Sequence, residues 1–252
     1  GPLVFVAHWP YLWPDPVARW GSYWGFHLHH EHYPVRYFGA GLWEPPFPVA
    51  FPWVMWGVTV PLGTLICGVS GALLAVRQVA RELWWGEAVS ADESFLLLLN
   101  LMVPVLLIGM PNVPIFGGTK HWMNALPFLT IFAASFAWCA ACSWSKKPFV
   151  RGALMAALVT PGAISCLRHH PHEIASYNEL IGGVRGAASA GFERQFWGGG
   201  SRPLFQQLNA EAKPGDRLFL DRTNRDAFTT YQATGVLRRD LRFSARPSGA
   251  DW

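Results

Sequence analysis

An α-helical integral membrane protein, with about four transmembrane helices and a small C-terminal α/β segment outside the membrane, is the fold class this sequence predicts. Three observations carry it. Charged residues make up only 14% of the 252 positions, against about 25% in an average soluble domain. Long uncharged runs occupy residues 45–167 and are punctuated by short clusters of ionisable side chains. From Arg168 onward the chain is Arg-rich and of mixed sign, as soluble segments are. These shifts divide the chain into an external aromatic and His-rich loop (1–48), a transmembrane region (49–167) and an extramembrane C-terminal α/β domain (168–252).

Residues 1–48 are dense in Trp, Tyr, His and Pro. The prolines exclude one long helix, and rings that are apolar at one end and polar at the other suit the water–lipid interface. A structured interfacial loop with a short helix at 16–30 is expected. A spanning helix needs about 20 apolar residues. The first span is placed at 49–76, bent by Pro52 and Pro61, and the second at 94–116, carrying Pro104 and Pro111. The third is placed at 122–144, and the fourth, shorter and with Arg151 near its start, at 149–167.

The stretch at 116–129, FGGTKHWMNALPFL, reads as a tight charged hairpin between the second and third spans. Arg77 and Arg81 follow the first span, Lys146, Lys147 and Arg151 follow the third, and the 116–122 hairpin holds only Lys120. By the positive-inside rule the two basic loops are cytoplasmic. Residues 1–48, the hairpin at 117–121 and the tail then share the outer, periplasmic side. In the tail, helical spacing runs over 203–212, Lys213-Pro-Gly-Asp reads as a turn, 217–221 as a buried strand, and 226–234 as a helix stopped by Gly235.

Net charge is only +4 and the basic residues form no dense block, so no nucleic-acid partner is expected. No GxGxxG and no GxxxxGK[ST] motif is present, so nothing marks a nucleotide-phosphate cradle. Cys139 and Cys142 form a CxxC inside an apolar run, where cysteine ordinarily serves as a small apolar residue. Two histidine clusters, HLHHEH at 27–32 and HHPHE at 169–173, are placed outside. Neutral imidazole is a common metal ligand, but the HExxH spacing of a zincin is absent. No cofactor is predicted; a divalent metal held by these clusters stays open as an alternative, beside interfacial hydrogen bonding and phosphate or sugar binding.

Lys120 and His121, on a Gly-Gly loop, are candidates for charge-assisted hydrogen bonds to a lipid phosphate; Lys120 could equally extend to the headgroups from a helix end. Arg36, beside Tyr33 and Tyr37, is a second candidate contact for phosphate or sugar. His29, His30, Tyr33 and Glu44 complete the candidate binding set, and no catalytic residue is assigned.

GGTKHWMNALPFL resembles the start of a late membrane helix in bacterial family 39 glycosyltransferases, which are similar to protein O-mannosyltransferases and share the multi-spanning GT-C fold. PHEIASYNELIGGVRGA resembles the segment after their last helix, with Tyr177-Asn178-Glu179-Leu180 and Gly182-Gly183 matching. HYPVRYFGAGLWEPPFPVAFPWVM resembles their large external loop and the Trp-rich span after it. The resemblance implies transfer of a hexosyl or mannosyl group from a polyprenyl-phosphate donor to a protein or lipid acceptor at the outer face of the bacterial inner membrane. It also implies that the chain is the C-terminal portion of such an enzyme, with the family's catalytic acid in an earlier external loop carried by an N-terminal half. Two other classes are kept: a non-catalytic subunit of a membrane assembly and a His-ligated membrane metalloenzyme.

Overall fold

The structure, a computed structural model, describes residues 2–29, 32–85, 91–194, 201–221 and 223–252. It is mostly helical, 65% of residues, with few strands. Helix α1 (Pro2–His8) and helix α2 (Pro16–Leu28) pack through an aromatic cluster in which the Trp9 ring meets Phe5, Tyr11, Trp20 and Tyr23 at 5.0–6.4 Å. Asp15 starts α2 by accepting from the Ala18 backbone N–H at 3.0 Å, which satisfies one of the donors a helix start leaves open. Helix α1 lies outside the expectation for this region, because a run of Val, Phe and Ala between prolines gives little helical spacing to read. Strands β1 (Val35–Tyr37) and β2 (Ala40–Leu42) then form an antiparallel pair, Arg36 opposite Gly41.

The expected first span is two helices. Pro61 separates α3 (Phe51–Thr59) from α4 (Leu62–Trp85), because its ring removes the N–H that would close the turn. Helix α4 continues past Val76, so Arg77 and Arg81 sit on its far turns rather than in a loop. Helix α5 (Asp92–Ile108) keeps Pro104 in its interior and stops at Gly109, well short of Phe116. The connection at 109–119 is therefore longer than a tight hairpin, and a 3-10 turn at Lys120–Ala125 leads into α6 (Leu126–Trp144). Helix α7 (Pro148–His169) carries Arg151 in its first turn, where Nε donates to the Ser145 carbonyl at 2.8 Å. The charge thus serves the end of α6. Among the described residues, three helical segments are long and apolar enough to cross a membrane: Leu62–Trp85, Lys120–Trp144 and Pro148–His169.

Helices α4 and α6 make the closest packing. A Cβ on Gly68 would meet the Leu129 side chain at 2.7 Å, and one on Gly71 would meet the Phe132 carbonyl oxygen at 2.3 Å. Small residues at this seam let the backbones approach, which is how membrane helices associate when lipid is as apolar as leucine. Because residue 68 lies against 129 and 71 against 132, the two helices run in the same direction. Their starts, near Pro61 and Leu126, share one end of the bundle; Arg77, Arg81, Lys146 and Lys147 lie toward the other.

Beyond α7 the chain folds back. Tyr177, Ala187 on α8 (Gly183–Ser189) and Phe192 join the same apolar core as Phe51, Met55, Trp122 and Leu129. A second core gathers Phe205, Leu208, Leu218, Phe228, Leu237 and Leu241. It is built by α9 (Phe205–Glu211), β3 (Arg217–Leu218), α10 (Arg225–Ala233) and β4 (Arg242–Phe243). The strand expected at 217–221 is only two residues long, and its parallel partner β4 was not foreseen.

Candidate functional site

The break at Pro61 frees helix carbonyls, and the fold-back segment satisfies them. The Gly57 oxygen would normally accept from residue 61, which as proline has no N–H. The Asn178 side-chain amide donates to Gly57 and Val60 oxygens, each at 2.7 Å, while its backbone N–H donates to Val58 oxygen at 2.8 Å. Asn178 is only 5% exposed. Next to it the Tyr177 hydroxyl donates to the Glu193 carbonyl at 2.8 Å. Burial, and then the Glu193 charge, push that phenol well above its ordinary range, so it stays a donor. Glu193 in turn accepts from the Arg36 backbone N–H at 3.3 Å. The YNEL run thus docks residues 173–193 onto the kink and onto β1.

That docking closes a cavity of about 790 Å³ over the kink. Its walls are largely apolar: Met55, Val60, Pro61, Met123, Leu126, Leu129 and Ile174, from α3, α4, the 3-10 turn, α6 and the fold-back loop. Its polar groups are Lys120, Glu173, Ser176 and the hydroxyls of Thr59, Thr64, Thr119 and Thr130. A volume of this order accommodates a small ligand or part of a lipid.

Lys120 opens the 3-10 turn, and its Nζ lies 4.3 Å from the centre of the Phe116 ring, a cation–π arrangement. The same ring meets His121 at 4.6 Å and Tyr33 at 4.8 Å. Gly117 and Gly118 both hold φ of 67°, a conformation glycine adopts without Cβ strain. They turn the chain so that residues on both sides of them meet this ring. Phe116 therefore assembles three of the candidate residues. Among the described candidate residues, only Lys120 lines the cavity; Arg36, His29, Glu44, His121 and Tyr33 do not. The Arg36 side chain projects from β1 into solvent, His29 ends α2 with Nδ1 3.1 Å from the Gly25 oxygen, and Glu44 is exposed. His30 lies outside the described residues.

Among the described residues, the carboxylate that lines the cavity is Glu173, which in sequence stands out only as part of the HHPHE cluster. Its Oε1 lies 2.6 Å from His170 Nδ1. Its own backbone amide, and after it the His170 ring, hold the carboxyl below the usual glutamate range. That Glu173 and Lys120 line one cavity depends on segments some fifty positions apart coming together, which spacing does not reveal. The available signal was a carboxylate directly after an apolar span.

Among the described residues, no group of three or more His, Cys, Asp or Glu side chains is placed to hold a metal ion, and Cys67, Cys139, Cys142 and Cys166 are free thiols. Chemically, the arrangement offers an apolar trough capped by one cation, one anion and several hydroxyls, as an amphiphile with a charged head requires. No family model, no curated protein and no solved structure matches the chain.

Proposed function

We propose that this chain is part of a membrane glycosyltransferase of GT-C type, with about four spans, that transfers a sugar from a polyprenyl-phosphate donor. The observation that carries the proposal is the cavity over the Pro61 kink, which joins apolar walls contributed by spanning helices to a rim bearing Lys120 and Glu173. The polyprenyl chain lies along Leu126, Leu129 and Met123, and the phosphate sits at Lys120 with the threonine hydroxyls around it. A carboxylate takes the proton of the acceptor hydroxyl, whose oxygen bonds to the anomeric carbon as the bond from that carbon to the phosphate oxygen breaks. The departing phosphate takes the electron pair, and Lys120 stabilises its charge. Glu173 is the carboxylate in reach of this cavity. The rim faces the periplasm, opposite Arg77, Arg81, Lys146 and Lys147, with the chain in the bacterial inner membrane.

The test is binding of undecaprenyl phosphate to the protein in nanodiscs. Lys120→Ala is expected to weaken binding about 10- to 100-fold, the value of a charge-assisted hydrogen bond, while helical content stays at the wild-type level. Unchanged affinity would remove Lys120 from the site. A second reading, a subunit of a larger membrane assembly, is favoured by one observation: α7 buries none of its residues among the described chain. Co-purification of a stoichiometric partner that covers α7 supports it.

A further inference from the structure

A second cavity of about 790 Å³ lies between residues 171–174 and the C-terminal unit. Its chemistry differs from that of the first. Tyr231 supplies an aromatic ring, Gln206 and Asn209 supply planar amides, Arg202 a guanidinium and His172 an imidazole. No Asp or Glu is among its described lining residues, so it offers nothing to balance a cationic ligand. Two of these groups, Tyr231 and Asn209, are held in place before any ligand arrives. The Tyr231 ring packs against the buried Phe205 ring at 4.8 Å and 67°. Asn209 donates to the Val236 oxygen and accepts from the Arg238 N–H, both at 3.0 Å. Arg238 is itself fixed by a two-point pair with Asp240 at 3.0 and 2.5 Å. An aromatic face with amide and guanidinium donors beside it matches the ring and hydroxyls of a saccharide.

The cleft also adjoins the lipid-side cavity. Ile174 lines both, His172 lines the cleft, and Glu173 between them lines the other side. The loop at 171–174 is therefore the partition between an amphiphile pocket and a polar, aromatic one.

We infer that this cleft binds a saccharide, neutral or carrying one acidic group, and that it is the acceptor side of the molecule. The saccharide class stands on the cleft alone, whereas its role as acceptor rests on the transferase reading.

Saturation-transfer NMR on the full chain in nanodiscs tests it, with the methyl glycosides of mannose, glucose, galactose and N-acetylglucosamine as probes. At least one is expected to bind. Arg202→Ala and Gln206→Ala, whose exposed side chains lie outside the tail core, should each weaken it about fivefold or more, the value of one hydrogen bond. Gln207→Ala, whose amide donates to Glu211 instead, should bind as wild type. Glycoside binding that survives the Arg202→Ala, Gln206→Ala double variant overturns the inference, as does binding of none of the four probes. Displacement of a bound glycoside by a Thr-rich peptide assigns the cleft to peptide and overturns it as well. Glycoside binding without undecaprenyl phosphate binding leaves the cleft standing and removes the transferase reading.

Discussion

Asn178 ties the fold to the site at the cost of one buried side chain. Its amide answers carbonyls that Pro61 leaves open, so the kink and the fold-back loop hold each other. Asn178→Ala would leave the buried Val60 oxygen and the part-buried Gly57 oxygen without this donor. At about 1–3 kcal/mol for a buried group and about 1 kcal/mol for the part-buried one, the change should cost about 2–4 kcal/mol. Thermal unfolding in detergent, compared with Asn124→Ala at an exposed position, measures it; equal midpoints would remove the clamp. Glu173 makes a different prediction. Its carboxyl is held below the ordinary value of 4.5 partly by His170. A depressed carboxyl contributes its contact above the folded titration point and loses it as the pH falls through that point. His170→Ala should therefore move the Glu173 midpoint upward in a carbon-13 NMR titration. An unmoved midpoint would mean that the backbone amide alone sets it.

Among the elements, the α4–α6 seam is the one whose packing is set by the absence of side chains. A methyl at Gly71 would sit 2.3 Å from the Phe132 carbonyl, so the helices must separate to admit it. Gly71→Ala should cost about 1–3 kcal/mol despite its better helix propensity. Gly152→Ala on α7, where nothing lies within 4 Å of the new methyl, should be neutral or slightly stabilising. Matched unfolding curves for both variants would refute the seam. The same contrast explains what could be read from the sequence. Hydropathy and charge spacing located α6 and α7 closely, because a span is a local property of some twenty residues, whereas the span expected at 49–76 overlaps α4 (Leu62–Trp85) only in part. Pro61 announced the kink, and the short helix expected at 16–30 is α2 (Pro16–Leu28). The early end of α5 was less legible, since Gly109 and Pro111 stop a helix without interrupting its hydropathy. Glu173 and the cleft at Tyr231 were not legible, because each is made by segments distant in sequence that meet only through the Asn178 docking. Of the described candidate residues, Lys120, His121 and Tyr33 converge on Phe116, and only Lys120 lines the cavity.

At the scale of the whole molecule, the two ends of the bundle differ in chemistry. The end at Pro61 and Leu126 carries the cavity, Lys120, the fold-back loop and the cleft of the C-terminal unit. The opposite end carries Arg77, Arg81, Lys146 and Lys147. The parallel course of α4 and α6 keeps these basic residues together, so a single orientation places all four on one membrane face. The positive-inside bias is the ground for proposing that this face is cytoplasmic; in the proposed orientation the cavity opens toward the outer leaflet. In a background where the four cysteines are replaced by serine or alanine, Thr119→Cys and Ala250→Cys should react with a membrane-impermeant maleimide added to spheroplasts. Ser145→Cys should react only after the membrane is opened. Labelling of Ser145→Cys in sealed spheroplasts, with Thr119→Cys protected, would invert the orientation and take the cavity away from the periplasmic donor. Labelling of Thr119→Cys and Ser145→Cys from the same side would mean that α6 does not cross at all. Either result separates the geometry of the cavity, which rests on the fold, from its proposed use, which rests on the side it faces.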